Sequence, residues 1–339
     1  MRTEHVLRVA DSATTTVEGV DLVVTSPPYP MIEMWDEQFA ARSPEVEAAL
    51  DDGRGDDAFE AMHALLDEVW DAVVRALEPG GVVCVNVGDA TRSIGGEFQC
   101  FPNHARVTQA LRGRGLTPLP NVLWRKPTNR LTKFMGSGTL PTNAYVTLEH
   151  EYVLVFRNGP PREFPPGDET RYESAFFWEE RNRWFSDLWE LPGASQARDG
   201  AGRDRAGAFP LELPLRLIRM YSTYDDRVYD PFAGTGTTTL AAMLAGRDSV
   251  GHELDPDLLS AFEERLEDLP ERSTERVDAR LDRHRAFVRE RDEPPEYEAV
   301  HYDVPVVTKQ ERRIRLYVVT GVERVGGDGR RYVVSYEPR

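Results

Sequence analysis

Lysine is nearly absent from this chain of 339 residues. Only three of its 41 basic residues are lysine, namely Lys126, Lys133 and Lys309, whereas Asp and Glu number 58 and give a net charge of −17. Such a charge excludes a generally basic surface of the kind that coats nucleic acid. An acidic, lysine-poor surface is typical of the salt-rich cytoplasm of a halophile. An ordinary acidic protein from a GC-rich genome is the alternative.

Cysteine and long apolar runs are also scarce. The two cysteines, Cys84 and Cys100, exclude a disulfide scaffold. No apolar stretch approaches the roughly 18 residues of a membrane span, and the N-terminus has no apolar signal core. We therefore expect a cytoplasmic protein without a membrane partner. Because His104, His150 and His252 have no metal-site spacing with the cysteines, we expect no metal.

What the sequence does contain is an alternation of strand-like and helix-like segments. Residues 20–24 and 82–89 are apolar runs typical of buried parallel strands. In residues 59–77 the apolar positions recur every three and four residues, which predicts an amphipathic helix. Residues 227–255 follow the order strand, glycine loop, helix, strand. Together these patterns predict a doubly wound α/β fold with a mainly parallel sheet.

The glycine loop has the features of a nucleoside site. Gly234 and Gly236 permit a tight turn and close approach of a ligand to the backbone. Glu253 ends the next strand, 19 positions after the first glycine, where a carboxylate can accept both hydroxyls of a ribose. Thr239 replaces the third glycine of dinucleotide sites, which favours a ligand without a pyrophosphate. Taken alone, a Gly-x-Gly pair is equally compatible with an ordinary turn.

A second motif follows the strand at residues 20–24. In Ser26-Pro27-Pro28-Tyr29 the prolines stiffen the turn and remove backbone donors, which leaves carbonyls free to accept hydrogen bonds. Tyr29 offers a flat face to a base swung out of a helix. Acceptors placed in this way orient an exocyclic amine for attack on an electrophilic methyl group, with no nucleophilic side chain and no metal.

Taken together, TSPPY, DPFAGTGTT and GHELD resemble the motifs of the amino-methyltransferases, which use S-adenosylmethionine to methylate cytosine N4 or adenine N6 in DNA. The resemblance covers about residues 6–269. The catalytic motif comes first, as in the permuted group that includes many cytosine-N4 enzymes. TSPPYPMIEMWD is similar to archaeal modification methylases, some of which act on CTAG. Ser26, where adenine enzymes more often have Asp or Asn, favours cytosine N4.

The resemblance also implies roles for individual residues. Ser26, Pro27, Pro28 and Tyr29 would hold the flipped base. Glu253 would accept the ribose hydroxyls of the cofactor. Asp11 would meet its adenine amino group, although Ala10 stands where a glycine is common. The residues expected to surround S-adenosylmethionine are Asp11, Asp230, Phe232, Gly234, Gly236, Thr237, Glu253 and Asp255.

The resemblance implies a sheet of the class I methyltransferase type with seven main strands. We predict a catalytic half at residues 1–158, a target-recognition region at 159–208 and a cofactor-binding half at 209–292. A small C-terminal β appendage of unknown role would occupy residues 293–339, because its pattern turns strand-like after residue 299.

An acidic protein must contact DNA through a local basic surface. One cluster contains two of the three lysines, and a second lies among tryptophans that can stack on DNA. In both cases a solvated loop is the alternative. The first cluster comprises Arg125, Lys126, Asn129, Arg130 and Lys133, and the second comprises Arg181 and Arg183, followed by Arg198, Arg203 and Arg205.

We therefore predict methyl transfer to the N4 of a flipped cytosine in double-stranded DNA, with a cognate restriction endonuclease as a further partner. Adenine-N6 methylation of DNA is the nearest alternative. Methylation of RNA or of a protein glutamine also uses Pro-Pro-Tyr turns. A non-catalytic DNA-binding module that keeps the cofactor as structure or sensor is the alternative from another class.

Overall fold

The computed structural model describes residues 1–126, 136–193, 209–326 and 330–339. Its strands are β1 (Arg2–Val9), β2 (Val20–Thr25), β3 (Leu77–Val87), β4 (Ala90–Ile94), β5 (Glu97–Phe101), β6 (Thr117–Pro118), β7 (Val122–Arg125), β8 (His150–Arg157), β9 (Leu188–Glu190), β10 (Arg227–Asp230), β11 (Asp248–Glu253), β12 (Tyr297–Glu298), β13 (Pro305–Val306), β14 (Tyr317–Arg324) and β15 (Arg330–Pro338).

The α-helices are α1 (Asp36–Ala40), α2 (Pro44–Asp51), α3 (Gly55–Ala76), α4 (Asn103–Gly113), α5 (Glu169–Glu173), α6 (Trp178–Trp184), α7 (Glu212–Tyr221), α8 (Thr237–Ala245), α9 (Pro256–Ser260) and α10 (Leu269–Arg289). Short 3₁₀ helices occupy Glu33–Trp35, Glu263–Leu266 and Lys309–Arg313. Within the described ranges, no helix is both long and apolar enough to cross a bilayer.

One large sheet organises the part of the chain that the structure describes. Its order is β14-β15-β1-β11-β10-β2-β3-β8-β7-β9, with β6 also paired to β8. The five central strands β1, β11, β10, β2 and β3 are parallel. Beyond them, β8 runs antiparallel to β3, and β7 antiparallel to β8. The predicted α/β fold with a mainly parallel central sheet is confirmed.

Helices cover both faces of this sheet. Val82 and Cys84 of β3 belong to the core that α7 and α8 complete, whereas Val83 and Val85 point into the core beneath α3 and α4. This alternation is what a pleated strand imposes, and burial on both faces explains the continuous apolar runs in the sequence. Helix α3 buries one apolar stripe against the sheet, which includes Met62, Leu66, Val69, Trp70 and Val73.

Strand β3 begins earlier than the sequence predicts. It starts at Leu77 and includes the Pro-Gly-Gly segment that we expected to lie between helix and strand. Gly80 has a φ of +81°, and its N–H donates to the carbonyl of Asn158 at 2.7 Å. A Cβ at Gly80 would lie 2.9 Å from the backbone nitrogen of Arg162. Glycine therefore allows an irregular strand start here that other residues would resist.

The C-terminal hairpin is part of the main sheet. Strand β15 pairs antiparallel with β1, and β14 pairs with β15. Tyr332, Val334 and Tyr336 are buried in the same core as α7 and α8. The β-rich segment thus covers the edge of β1, which would otherwise present unpaired backbone groups.

A third core joins the region after β8 to the C-terminal part. Phe177, which precedes α6, is fully buried against Val277 and Leu281 of α10. Ile314 and Leu316 complete this cluster. The segment around Phe177 therefore packs against α10 and the residues before β14.

The parallel strands end at one edge of the sheet. Strands β1, β2, β10 and β11 are followed there by Ala10, Ser26, Pro231 and Leu254. Open α/β sheets bind ligands beyond the carboxyl ends of their strands, so the fold brings the two sequence motifs to the same edge.

Candidate active site

A cavity of about 850 Å³ opens at this carboxyl edge. It is large enough for a drug-sized ligand, since such sites commonly measure roughly 300–1,000 Å³. Both sequence motifs contribute to its wall, although they are about 200 residues apart. The predicted residues that line it are Asp11, Ser26, Pro27, Pro28, Tyr29, Asp230, Phe232, Gly234, Thr237, Glu253 and Asp255.

The two glycines of the loop have different surroundings. Gly234 has a φ of +54°, and a Cβ built on it meets no atom within 4 Å, so its backbone faces open space in the cavity. Gly236 has a φ of +76°, and a Cβ there would lie 2.4 Å from the Phe262 ring. Gly236 does not line the cavity, in contrast to its predicted place around the cofactor. Its role in the structure is to start α8 against Phe262.

Glu253 connects the glycine loop to the end of β11. Its Oε2 accepts from the N–H of Gly234 at 2.8 Å, and its Oε1 accepts from the N–H groups of Leu254 and Asp255. Asp255 caps α9 by accepting from the N–H of Asp257. These bonds fix a carboxylate at the cavity wall beside the backbone of Gly234, as the spacing in the sequence predicts.

Asp230 lies beneath the loop and is 2% exposed. Its Oδ1 accepts from the Thr25 hydroxyl at 2.6 Å and from the N–H of Phe232 at 3.0 Å. Burial raises the pKa of Asp230 to about 6, and the charge of Glu253 adds to the rise. Thr25 precedes the catalytic motif, so this carboxyl group joins the two halves of the site.

Asp11 already has partners for both carboxylate oxygens. One accepts from the N–H of Ala13 at 3.0 Å, and the other pairs with Arg42 at 2.8 Å. Both side chains of this pair are about 30% exposed and line the cavity. A ligand amino group at Asp11 would therefore share the carboxylate with Arg42.

The Pro-Pro-Tyr motif is anchored by a buried network. The Tyr29 hydroxyl lies 3.0 Å from the Ser26 hydroxyl and donates to Oε2 of Glu151 at 2.9 Å. Asn86 donates to both the Tyr29 oxygen and Glu151, at 2.7 and 2.6 Å. Burial, and next the charge of Glu151, raise the pKa of Tyr29 well above its usual value. Tyr29 therefore stays a neutral phenol.

The first predicted DNA-contacting cluster is only partly within the described residues. Arg125 is half exposed and pairs with Glu149 and Glu190 at 3.5 and 3.2 Å. Lys126 pairs with Glu151, which places its charge beside the catalytic motif. Asn129, Arg130 and Lys133, and likewise Arg198, Arg203 and Arg205, lie outside the described residues.

Arg181 and Arg183 lie away from the carboxyl edge. Arg181 stacks on Trp178 and Phe185, with its guanidinium carbon 5.2 and 4.9 Å from the ring centres. It lines a separate cavity together with Asp21 at the start of β2, which is the opposite edge of the sheet. Arg183 faces α7 and α10 in a third cavity. The geometry does not bring these two arginines to the catalytic motif, and their contact with DNA stays a prediction.

Several cavity residues have no counterpart among those singled out from the sequence. Trp35, Phe39 and Arg42 form one wall, and Leu66 and Phe209 contribute apolar surface. Trp35 lies within the TSPPYPMIEMWD segment, so the resemblance of that segment could have indicated it as a site residue. Asn86 and Glu151 are the missed polar residues: the pairing of β2 with β3 brings Asn86 to Tyr29, and the pairing of β3 with β8 brings Glu151 there.

Metal ligands do not cluster in the part of the chain that the structure describes. No group of three or more His, Cys, Asp or Glu side chains there has the arrangement to hold an ion. The polar groups in and beneath the cavity instead form acceptors and a loop backbone suited to an organic ligand.

Comparison with known proteins identifies the family. The family model for DNA methylase, N6_N4_Mtase, matches residues 20–264. The type II methyltransferase M.MthZI of Methanothermobacter thermautotrophicus is 48% identical over 325 residues, which cover 94% of this chain and 91% of the relative. M.MjaI of Methanocaldococcus jannaschii is 48% identical over 260 residues, or 74% of this chain and 86% of the relative.

Solved structures agree with this result. TTHA0409 of Thermus thermophilus, described as a DNA modification methylase and crystallised with S-adenosyl-L-methionine, has a TM-score of 0.60 and 33% identity, covering 77% of this chain and 94% of that one. The cytosine-N4-specific PvuII DNA methyltransferase shares the fold, with a TM-score of 0.53 and 19% identity over 83% and 93% of the chains. On the family match and the two close relatives, this chain belongs to the N6/N4 DNA methylase family.

Proposed function

We propose that this chain is a type II DNA methyltransferase that transfers a methyl group from S-adenosylmethionine to the exocyclic N4 of a cytosine. The main support is that Ser26 and Tyr29 line the same cavity as the glycine loop and Glu253. A base amine and a nucleoside cofactor can therefore meet in one site. The matching family model is described as DNA methylase, and the relatives are named type II methyltransferases, which supports DNA as the substrate.

The residues present fit the cofactor. The open space beside Gly234 admits a ligand against the backbone, and the Glu253 carboxylate stands at the adjoining strand end. Glu253 would accept the ribose hydroxyls, Asp11 would meet the adenine amino group, and Phe232 would supply apolar surface. When bound, S-adenosylmethionine supplies an electrophilic methyl group. TTHA0409, which was crystallised with this molecule, supports the assignment.

The chain orients the target amine through acceptors. The Ser26 hydroxyl and the Pro27 carbonyl would each accept one N–H of the amine, because the motif has no backbone donor at its two prolines. Two acceptors at these positions favour a pyramidal nitrogen whose lone pair faces the methyl group. Tyr29 would lie against the flipped base. Ser26 in place of Asp or Asn favours cytosine over adenine.

CTAG is the target sequence we propose, on the resemblance of the TSPPYPMIEMWD segment to archaeal modification methylases that act on this site. Arg125 and Lys126 would meet the DNA backbone near the flipped base, together with Asn129, Arg130 and Lys133. A restriction endonuclease that cuts the same sequence would be the natural partner of a type II methyltransferase. The acidic, lysine-poor composition would adapt the protein to a salt-rich cytoplasm, such as that of a halophilic archaeon.

Nucleoside analysis of methylated DNA tests the proposal. The full chain is incubated with methyl-labelled S-adenosylmethionine and a duplex that contains CTAG, and the digested product is identified by mass spectrometry. We expect labelled N4-methylcytosine, and none with Tyr29→Ala. A CATG duplex of the same composition is the sequence control. Labelled N6-methyladenine would overturn the choice of base, whereas label in a small RNA but not in DNA would overturn the choice of substrate.

A further inference from the structure

A chain of hydrogen bonds leads from the catalytic serine to a carboxylate on β8. The Ser26 hydroxyl meets the Tyr29 hydroxyl at 3.0 Å, which in turn meets Oε2 of Glu151 at 2.9 Å. Asn86 donates to the Tyr29 oxygen at 2.7 Å. On the other side of the carboxylate, Lys126 donates to Oε1. Glu151 is 9% exposed, so water does not compete freely for these bonds.

Counting protons gives this chain of hydrogen bonds a direction. An ionised carboxylate can only accept, so the single hydroxyl proton of Tyr29 is donated to Glu151. The Tyr29 oxygen then accepts from Asn86 and from Ser26. Ser26 is therefore the donor in its contact with Tyr29. Its proton points away from the cavity, and its lone pairs are left for another donor.

We infer that Glu151 is a positioning residue that makes Ser26 a hydrogen-bond acceptor for the target amine. This inference rests on the proposed function, since an exocyclic amine offers N–H groups that need acceptors. Glu151 itself does not line the cavity and acts through Tyr29. Were the chain reversed, Tyr29 would donate to Ser26, and the serine proton would face the amine. Two donors, the Ser26 hydroxyl and the N–H of the amine, would then face each other in the site.

Lys126 makes Glu151→Gln a sharp test of this direction. The ammonium group requires an oxygen on its side of residue 151, so the glutamine NH₂ would turn toward Tyr29 and Asn86. The NH₂ group would stand where the carboxylate oxygen accepted from both Tyr29 and Asn86, so the acceptor that fixes the direction of the hydrogen bonds is lost. Tyr29 would then donate to Ser26, which reverses the chain with almost no change in side-chain volume.

Glu173 provides a matched control. Its carboxylate also accepts from a tyrosine hydroxyl, that of Tyr317 at 3.3 Å, and also pairs with a cation, Arg315 at 3.4 Å. Its side chain is 15% exposed, compared with 11% for Glu151. Glu173→Gln therefore makes the same chemical change at a site remote from the cavity.

The experiment combines kinetics with a spectroscopic signal. For Glu151→Gln we expect kcat on the CTAG duplex to fall on the order of 100-fold, while the Kd for S-adenosylmethionine changes by less than about twofold. In the full chain labelled with ¹³Cζ-tyrosine, the Tyr29 resonance, assigned with Tyr29→Phe, should shift in Glu151→Gln. Glu173→Gln should leave both kcat and this resonance unchanged.

Two results would overturn the inference. One is a Glu151→Gln enzyme with the kcat of the wild type, and the other is an unmoved Tyr29 resonance. If the wild type methylates no DNA, the proposed function fails instead, and the Tyr29 resonance still reports separately on the direction of the chain. A combined Glu151→Gln and Tyr29→Phe variant should be no slower than Tyr29→Phe alone, because Glu151 acts through that hydroxyl.

An independent feature lies on the flank of the molecule, where α6, α7 and α10 enclose a cavity of about 260 Å³. It shares no lining residue with the catalytic cavity. Five arginines line it: Arg183 from α6, Arg219 from α7, and Arg276, Arg280 and Arg283 from one face of α10. Two acidic residues, Glu180 and Glu212, line it as well.

The carboxylates are already engaged. Glu180 forms two bonds of 2.7 Å with Arg280, and Glu212 pairs with Arg216 and Arg276. The other three arginines form no ion pair or hydrogen bond with a described residue. Burial, and next the charge of Arg280, lower the pKa of one of them, Arg219, to about 9. This concentration of positive charge, unpaired among the described residues, contrasts with the net charge of −17 of the whole chain.

We propose that this arginine cavity binds a tetrahedral oxyanion, either free phosphate or a phosphate of the DNA backbone. Guanidinium groups match the geometry of such an anion through paired N–H donors. An anion among Arg183, Arg219 and Arg283 would also offset their mutual repulsion. The arginine cavity is lined by residues of α6, α7 and α10 and shares none with the cofactor and base site, so the two sites are separate.

Inorganic phosphate is the probe that tests this site. Thermal unfolding of the full chain is compared in potassium phosphate and in potassium chloride of equal ionic strength. We expect phosphate to raise the midpoint of the wild type, and Arg283→Gln and Arg183→Gln to weaken the apparent phosphate affinity roughly tenfold. Arg285→Gln, also on α10 but paired with Asp282 and Asp303, should respond as the wild type does.

A DNA titration distinguishes the two sources of phosphate. If the occupant is a DNA phosphate, the salt dependence of DNA binding should lose about one unit of slope in Arg183→Gln. An unchanged slope assigns the cavity to free phosphate. Equal midpoints in phosphate and chloride, or a phosphate effect that survives in both variants, would overturn the proposal.

Discussion

Asp230 is held in the site at a cost to stability. Burial raises its pKa to about 6 from the usual value of 3.8, a difference worth roughly 3 kcal/mol at pH values where the group is ionised. The pKa of Asp230 is higher in the folded than in the unfolded state. Its contribution to stability is therefore fully present at pH values below its pKa in the unfolded chain. That contribution is lost as the pH rises through about 6.

Replacing Asp230 by Asn should therefore stabilise the fold at neutral pH. The Asn oxygen can still accept from Thr25 and from the N–H of Phe232, as Oδ1 of Asp230 does. We expect the free energy of unfolding to rise by about 1–3 kcal/mol at about pH 8, with a smaller gain at about pH 5. Urea unfolding at both pH values measures it. A gain that is the same at both would contradict the account.

Glu151 is a residue of the site that could not be predicted from the sequence. Ser26, Tyr29 and Glu253 stand in local patterns that specify a turn or a spacing, so they could be singled out without a structure. Glu151 reaches Tyr29 because Val87 pairs with Tyr152, which sets Glu151 opposite Gly88. That register depends on contacts between segments more than 60 residues apart, and no local pattern encodes it.

The turn from β10 into α8 contains two glycines with separate tasks. Gly236→Ala would press a Cβ to within 2.4 Å of the Phe262 ring at a φ of +76°. We expect it to lower the free energy of unfolding by about 2–4 kcal/mol. Gly234→Ala has room for its Cβ and should cost only about 1 kcal/mol.

The affinity for S-adenosylmethionine should be affected in the opposite order, more by Gly234→Ala than by Gly236→Ala. The Gly234→Ala methyl group would occupy the space that a ligand needs, so we expect the Kd to rise by about tenfold or more. Denaturant unfolding and calorimetric titration of both variants provide the two measurements. A Gly234→Ala protein that binds the cofactor normally would remove this loop from the cofactor site.

The C-terminal hairpin should be needed for the stability of the central sheet. Val334 of β15 is fully buried in the core that β1, α7 and α8 share. Val334→Ala should lower the free energy of unfolding of the whole chain by roughly 2 kcal/mol in a single transition. Half-buried Val333 is the control, and its replacement by Ala should cost less than about 1 kcal/mol. A separate early transition would show that the hairpin unfolds by itself.

Elements with strong local periodicity could be predicted, and those that depend on partners could not. Helix α3 and strand β2 have complete apolar patterns in the sequence. Helix α10 has a long charged surface and buries only a few apolar residues, such as Val277 and Leu281, against β14 and Phe177. The early start of β3 at Leu77 depends on Gly80 meeting Asn158, a contact that is made only in the folded sheet.

At the scale of the whole molecule, net charge should govern the response to salt. A charge of −17 produces self-repulsion that screening removes, whereas exposed ion pairs such as Arg114 with Asp71 are weak and lose little. We expect the free energy of unfolding to rise between about 0.1 M and about 2 M KCl. Urea unfolding at both salt concentrations measures it. A fall in stability would contradict adaptation to a salt-rich cytoplasm.

The order of the chain through the sheet could be predicted only in part. The resemblance implies a permuted arrangement, and β10 and β11 do lie between β2 and β1. The boundaries of the predicted segments 159–208 and 293–339 rest on composition. In the structure, Phe177 of the first segment packs against Ile314 and Leu316 of the second. Packing between distant segments is not visible in composition, so how these regions join required the structure.

Sequencing of cellular DNA tests the central claim most directly. The chain, or its Tyr29→Ala variant, is expressed in a bacterial host, and the genomic DNA is read by single-molecule sequencing that detects modified bases. We predict N4-methylcytosine at CTAG sites with the wild-type chain and at none with the variant. DNA indistinguishable between the two, or modified at adenine instead, would contradict a cavity that methylates cytosine N4.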